Sequence, residues 1–391
     1  MFTIRLAPGK AARIEAGHPW IYRSEIVRVD SQGEPGAIAQ VRDSRGRFLG
    51  QAMVNLQSQI AGRLLTRDDM PVDEAFFLRR IREAAGKHGR TLEGPGASRL
   101  IFGEADRLPG LIVDRYADLV VVQLLTAGME RARKPILECL RTLVQPRAIY
   151  ERNDASSRKL EGLPLQKGFA WGEGETAIWM EEEGLRFLVD VAEGQKTGFF
   201  LDQRENRQVV RALARGRDVL DCFCYSGGFA INAAAGSAAS VLAIDISAQA
   251  TSWAEQGAQR NDLATRCRFQ AGNAFDELRA FDREGRRFGM IVLDPPAFTK
   301  GRETLEGALR GYKEINLRAM RLLAARGMLV TCSCSYHVDA PMFLEMLREA
   351  AADARREFRL AQVRTQAADH PILLAARETQ YLKCVMLEAQ E

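Results

Sequence analysis

Nowhere in the 391 residues does an apolar run approach the ~18 residues of a membrane span. The start, Met1 to Lys10, holds no apolar segment long enough for a signal peptide. A cytoplasmic protein is expected. The seven cysteines are odd in number and include no Cys-x-x-Cys pair, which disfavours zinc frameworks and disulfide scaffolds. Free thiols point to a reducing compartment, where each is a small buried hydrophobe or a nucleophile. One-sided charge is also missing. The 55 Lys+Arg and 51 Asp+Glu leave only +4, too little to argue nucleic-acid binding from the whole chain. Lysine is scarce, at 9 residues against 46 Arg. Genomic base composition explains such a bias; so does phosphate binding by planar guanidinium groups. No internal repeat or low-complexity tract occurs. What remains is 46% apolar and 27% charged, ordinary for a globular chain with room for two or three domains. A core of that size needs no metal or disulfide staples.

Three stretches separate. Residues 1–70 read as a small, mostly β module, with strands over 38–41, 47–55 and 60–65 and one short helix over 8–16 that ends at Gly17. Residues 72–186 read as a central α+β domain. Its first helix is marked by Ala75, Phe76, Leu78, Ile81, Ala84 and Ala85. Strands follow over 99–102, 110–115 and 119–125, then a helix over 133–143 and strands over 148–151 and 177–181. Residues 187–391 alternate strand and helix. The strands are 218–221, 240–245, 268–270, 290–294 and 328–331, with helices over 227–235, 248–260 and 308–325 and closing strands over 360–365 and 380–387. That order implies an α/β, doubly wound Rossmann-like sheet, with ligands at the carboxyl ends of its strands.

The chemistry-bearing residues fall at those ends. The first strand runs into Asp221-Cys222-Phe223-Cys224-Tyr225-Ser226-Gly227-Gly228-Phe229. This is not Gly-x-Gly-x-x-Gly, so a classical dinucleotide site is disfavoured, although the glycines allow close backbone approach. The second strand ends at Asp245, whose carboxylate can accept hydrogen bonds from both ribose hydroxyls, or cap the helix that starts near Ser247. Asn273, after the third strand, can read an adenine edge or cap a helix. The fourth strand ends in Asp294-Pro295-Pro296-Ala297-Phe298; the prolines stiffen the segment that holds Asp294, and Phe298 can stack on a base. The fifth runs into Thr331-Cys332-Ser333-Cys334-Ser335-Tyr336-His337. Alternation puts Cys332 and Cys334 on one face. A thiol there is a small buried side chain, or a nucleophile if its pKa is lowered, with His337 as a possible activator.

Together these segments resemble the class I S-adenosylmethionine-dependent methyltransferases. More narrowly, the chain resembles the bacterial 23S rRNA (cytosine-C5)-methyltransferase family with an N-terminal PUA domain. Gly17-His18-Pro19-Trp20-Ile21-Tyr22, Glu151-Arg152-Asn153-Asp154, the stretch Lys196 to Arg204, Ser333-Cys334-Ser335 and Ala367 to Pro371 carry the resemblance beside the motifs above. The resemblance implies S-adenosyl-L-methionine as cofactor, held by Thr197, Phe199, Asp221, Phe223, Ser226, Gly227, Asp245, Ile246, Asn273, Ala274 and Asp294. Many relatives carry Asp where Asn273 stands, and a non-Cys residue where Cys332 stands. The Ser-Cys-Ser register therefore points to Cys334 as the catalytic thiol, with Asp294 beside it. Arg152, Asp154 and Phe298 are candidates to hold large-subunit ribosomal RNA. No membrane partner is implied, and a homodimer stays open.

Cytosine C5 is a poor nucleophile toward a sulfonium methyl, and thiolate addition at C6 makes it carbanion-like. The alternatives are an exocyclic-amine RNA methyltransferase that uses Asp-Pro-Pro-x-Phe without a thiol, a non-catalytic RNA-binding protein, and a small-molecule methyltransferase. The charge balance adds one point. Residues 1–67 carry 10 basic and 5 acidic side chains, and the remainder 45 and 46, so the whole surplus sits in the N-terminal module. That agrees with phosphate contacts that position RNA without reading its sequence.

Overall fold

The computed structural model describes residues 2–31, 33–87, 92–299 and 301–390. It divides into two compact units. The first comprises Met1–Met180, Asp190–Leu201 and Ala368–Thr379; the second comprises Glu181–Val189, Asp202–Ala367 and Gln380–Glu391. The first stretch and the second as far as Met180 thus fall in one unit, together with two segments from the C-terminal stretch. That unit still holds two sheets with separate cores.

The N-terminal sheet has six strands in the order Trp20–Ile21, Gly62–Thr66, Phe48–Val54, Ala37–Arg42, Phe2–Leu6, Ile26–Val29. Period-2 alternation sends Ile4, Leu6, Ala39, Val41, Ala52 and Val54 into its core. The second sheet runs Gln166–Trp171, Ala148–Asn153, Leu119–Leu124, Leu111–Tyr116, Ala97–Phe102. Helices Glu74–Lys87 and Arg133–Val144 bury Phe76, Ile81, Ile136 and Leu140 against it. The two sheets are cross-linked: Glu161 accepts from Asn55 Nδ2 at 3.1 Å and Arg63 Nη1 at 2.9 Å, and Trp20 Nε1 donates to Glu104 at 2.9 Å.

A hairpin of Ala177–Glu182 and Leu185–Asp190 leads the chain into the second unit. Its two turn residues, Glu183 (φ 51°) and Gly184 (φ 78°), both adopt the left-handed conformation that matches strand twist in a tight hairpin.

The second unit is built on seven strands: β1 (Asp218–Cys222), β2 (Ser240–Asp245), β3 (Cys267–Ala271), β4 (Phe288–Leu293), β5 (Leu323–Ser333), β6 (Phe358–Arg364) and β7 (Lys383–Ala389). They lie in the order β3-β2-β1-β4-β5-β7-β6, parallel except for β7, which runs against both neighbours. The helices are α1 (Arg204–Leu213), α2 (Gly228–Ala235), α3 (Ala248–Arg260), α4 (Ala274–Glu284), α5 (Leu305–Leu322) and α6 (Ala340–Ala354). The central strands are apolar on both faces, as Met290-Ile291-Val292-Leu293 shows. Leu220, Ile291, Leu293 and Leu329 pack with α4, α5 and α6, while Val219, Val292 and Val330 pack with α1 and α2. Strand order reverses between β1 and β4, which opens a crevice at their carboxyl ends. Among the described residues no helix is long and apolar enough to cross a membrane.

Two sequence expectations need correction here. The helix expected over 308–325 stops at Leu322, and Leu323 already begins the eleven-residue β5. Helices α1, α4 and α6 were not marked by the apolar pattern. The buried face of α1 explains this for that helix: Arg204, Asn206 and Arg207 lie there, with Glu182 receiving Arg207 at 2.6 and 2.7 Å.

Candidate active site

The crevice is lined first by the β1 loop. Phe223 (φ 65°), Tyr225 (φ 48°) and Gly227 (φ 81°) all take left-handed backbone. For the two aromatic residues that costs about 1–2 kcal/mol each. Hydrogen bonds hold the loop there: Cys224 N donates to Ile244 O at 3.0 Å, Tyr225 N to Asp245 Oδ2 at 2.8 Å, and Gly227 N to Cys224 O at 2.9 Å. Only glycine suits position 227, because a Cβ there would lie 2.9 Å from the Ala254 Cβ on α3.

Beneath the loop Asp221 is fully buried. Burial pushes its carboxyl well above the ordinary range, and the Asp294 and Asp245 charges add to the shift. The Ala230 amide offsets it in part, yet neither Asp221 oxygen makes a hydrogen bond of normal geometry among the described residues. The buried Ser226 Oγ is likewise without a partner. Asp245 receives one backbone amide on each oxygen, Tyr225 N at 2.8 Å and Ser247 N at 2.9 Å. The cap of α3 is Ser247, whose hydroxyl accepts from Ala250 N, so Asp245 is not spent on that role. A carboxylate has about four lone-pair sites. Acceptor capacity therefore remains for a ligand. Ile246, the next residue, is 78% exposed. Asn273 is exposed and does cap α4: its Oδ1 accepts from Phe275 N at 2.9 Å. Its Nδ2 has no hydrogen-bond partner among the described residues. Ala274, the first residue of α4, is buried.

Asp294 follows β4 and is half-buried, with its N–H directed at Cys222 O at 3.4 Å. Phe298 lies in a run of aromatic rings, 4.5 Å from Tyr312 and 5.8 Å from Phe275 between centroids. Phe275 in turn stands 6.3 Å from Phe223.

At the end of β5 the two thiols differ. Cys332 is fully buried and lies directly opposite Cys384 on β7. Its hydrogen bond to Cys384 and its burial push the thiol well above its usual range. Burial does the same to Cys222 and Cys224. Cys334, just past the strand, is half-buried rather than enclosed. Tyr312 Oη and Ser335 Oγ lie 2.9 Å apart beside it. Lys383, unmarked by any sequence motif, enters this corner from β7. Its Nζ donates to Ser335 O at 2.7 Å and Tyr381 O at 2.9 Å. His337 makes a ring contact with Tyr336 at 5.1 Å, and no hydrogen bond involves it among the described residues.

The remaining sequence candidates belong to the first unit. Thr197 is fully buried; its hydroxyl donates to Asp114 Oδ2 at 2.5 Å and lies 2.9 Å from Tyr116 Oη. Arg99 completes the cluster with two bonds to Asp114 at 2.7 and 2.8 Å. Phe199 is buried, and its N–H donates to Tyr116 Oη at 3.1 Å. Arg152 is also buried. Its guanidinium donates to Val191 O at 2.7 Å, Gly194 O at 2.9 Å and Asp154 at 3.1 Å. The structure thus gives Arg152 the task of clamping the chain around residue 191, and leaves Asp154 as its partner. In the N-terminal module much of the arginine surplus is internally paired: Arg13 with Glu25, Arg47 with Asp43 and Glu15, Arg63 with Glu161, and Arg28 with Asp30.

Comparison with known proteins agrees with this architecture. Residues 4–67 match the PUA-like domain, and residues 148–367 match the S-adenosylmethionine-dependent methyltransferase family. The chain is 39% identical over 388 residues to the ribosomal RNA large subunit methyltransferase I of Erwinia tasmaniensis, covering 97% of this chain and 98% of that one. It is 42% identical over 387 residues to the protein of that name from Shewanella denitrificans, covering 97% of each. Among solved structures, an S-adenosylmethionine-dependent methyltransferase from Streptococcus mutans superposes with a TM-score of 0.84 at 18% identity, over 99% of this chain and 100% of that one. A similar methyltransferase complexed with S-adenosylhomocysteine gives the same score, identity and coverage.

Proposed function

This chain belongs to the ribosomal RNA large subunit methyltransferase I family of S-adenosylmethionine-dependent enzymes, and from that premise we propose that it methylates C5 of a cytosine in 23S rRNA through a covalent adduct of Cys334.

The residues of the β1–β2 crevice fit the cofactor. Asp245 offers acceptor sites for ribose hydroxyls, and the exposed Ile246 side chain is an apolar platform for a purine face. Asn273 Nδ2 is a free donor for a ring nitrogen of adenine. Two carboxyls, Asp294 and Asp245, act electrostatically on a third, Asp221. A ligand with a sulfonium and an ammonium centre relieves that repulsion. When bound, S-adenosylmethionine supplies an electrophilic methyl group.

The chain's own residues supply the rest. The Cys334 sulfur adds to cytosine C6, and a proton placed at N3 makes C5 an enamine carbon. Asp294 is the acid or orienting group at N3. Once C5 carries the methyl group, its proton passes to solvent water, the C6–S bond breaks to return the Cys334 thiolate, and N3 gives its proton back to Asp294. The target base is extruded from its stack to reach these groups. The observation that carries the reading is the contrast between the two β5 thiols: Cys332 is sealed against Cys384, whereas Cys334 is partly open at the strand end. Methylation of 23S rRNA by Cys334→Ala tests it. Loss of 5-methylcytosine is expected, with Cys332→Ala active. Full C5 methylation by Cys334→Ala excludes the adduct, and a methyl group found on an exocyclic amine favours the thiol-free reading of Asp-Pro-Pro-x-Phe.

A further inference from the structure

Lys383 is 8% exposed, an unusual place for a side chain that is almost never fully buried unless paired. It is bound to both flanks of Cys334. On one side, its backbone pairs across the β5–β7 ladder with Ser333. On the other, its Nζ donates to the carbonyl of Ser335 at 2.7 Å. A second N–H goes to Tyr381 O at 2.9 Å. An ammonium has three donors, so one remains, and among the described residues no protein acceptor takes it. The carbonyl acceptors fix where the nitrogen sits but supply no counter-charge. The charged groups that act on it are Cys334 and Asp339, both of which favour its protonated form. Tyr312 on α5 also acts electrostatically with Cys334, and its hydroxyl is bonded to Ser335.

We propose that Lys383 is a positioning residue that holds Cys334 as a thiolate, ready to add to its substrate. This rests on the reading of Cys334 as the nucleophile. The step is an ionisation beside a fixed cation: the S–H bond of Cys334 breaks, its proton passes to solvent water, and the thiolate is left facing the Lys383 ammonium. When the product is released, elimination returns the sulfur as thiolate to the same ammonium. The C5 proton is not assigned to Lys383. Burial brings the Lys383 ammonium down to about 8. An ammonium with that value is still mostly protonated near neutral pH, so its charge faces the sulfur.

The test is peptide-resolved alkylation of Cys334 by iodoacetamide across pH, on the full chain without RNA. In the unsubstituted protein the thiol is expected to titrate at least about one unit below the ordinary ~8.5. Lys383→Met raises that value and cuts alkylation near neutral pH about ten-fold, with the high-pH plateau unchanged. Lys383→Arg restores the low value. An unchanged profile in folded Lys383→Met overturns the proposal. So does an unsubstituted thiol that titrates at its ordinary value. That second measurement decides the matter if Lys383→Met fails to fold. The two readings fail separately. Methylation by Cys334→Ala removes the adduct mechanism whatever the thiol titration shows. An inactive Cys334→Ala with a thiol indifferent to Lys383 removes only the role of Lys383.

Discussion

Replacing Asp221 by asparagine isolates the cost of placing an ionisable acid under the cofactor loop. The side chain is fully buried, its oxygens make no hydrogen bond of normal geometry among the described residues, and burial with the Asp294 and Asp245 charges raises its pKa well above 3.8. Between the unfolded value and this raised one, the folded protein keeps a proton that the unfolded chain has released. Stability must then fall with rising pH, by about 1.4 kcal/mol per pH unit. The contribution is fully present below the unfolded pKa and is lost as pH rises through the folded one. Asparagine has nearly the same shape and no proton to lose. The stability of Asp221→Asn relative to the unsubstituted protein should therefore climb by about 1.4 kcal/mol per unit from about pH 4, then level off at the folded pKa. Urea unfolding at several pH values measures this difference, and titrations shared by both proteins cancel. Adding Asp294→Asn to both removes the largest charge acting on Asp221, so the plateau should begin at lower pH. A stability difference that does not change with pH would refute the reasoning, because it would mean that Asp221 titrates alike in both states.

Asp245→Ala should weaken S-adenosylmethionine binding about 100-fold or more, since each lost hydrogen bond to a charged acceptor is worth ~1.5–3 kcal/mol; calorimetry showing unchanged affinity would place the ribose elsewhere. Thr197→Val leaves buried Asp114 and Tyr116 each short of a partner. It should destabilise by about 1–3 kcal/mol, read from the urea midpoint, and a shift below about 0.5 kcal/mol would contradict the network. Asn273→Ala removes the α4 cap. A loss of about 1 kcal/mol is expected, and Asn273→Asp should restore it, since aspartate caps equally well.

The β-α alternation of the catalytic unit was legible because parallel strands buried on both faces leave unbroken apolar runs between amphipathic helices. The strand-end motifs followed from that order, since carboxyl ends are where such sheets bind ligands. What escaped was anything set by long-range register. Lys383 lies 49 residues beyond Cys334, and only the β5–β7 pairing brings them together. Thr197 reads as a loop residue beside glycine, yet a buried carboxylate from a distant strand takes its hydroxyl. Arg152 illustrates the converse. An exposed arginine and a buried one that binds two carbonyls look alike in a sequence, and burial alone separates RNA contact from scaffold. The same holds for the N-terminal charge surplus. Among the described residues Arg5, Arg23, Arg42, Arg45 and Arg67 make no ion pair there; Arg42 and Arg67 donate to backbone carbonyls of the module, and Arg23 and Arg45 are exposed, so Arg5, Arg23 and Arg45, rather than all nine arginines, are the ones available to phosphate.

The covalent adduct at Cys334 can be examined directly with 23S rRNA transcribed with 5-fluorocytidine. Fluorine at C5 cannot leave as a proton does, so an enzyme that adds through sulfur stays attached to its RNA. Incubation with S-adenosylmethionine, nuclease digestion and peptide mass mapping should find the nucleotide on Cys334, with no adduct in Cys334→Ala. A nucleotide carried by Cys332, or methyl transfer with no protein-bound RNA at all, would contradict the account.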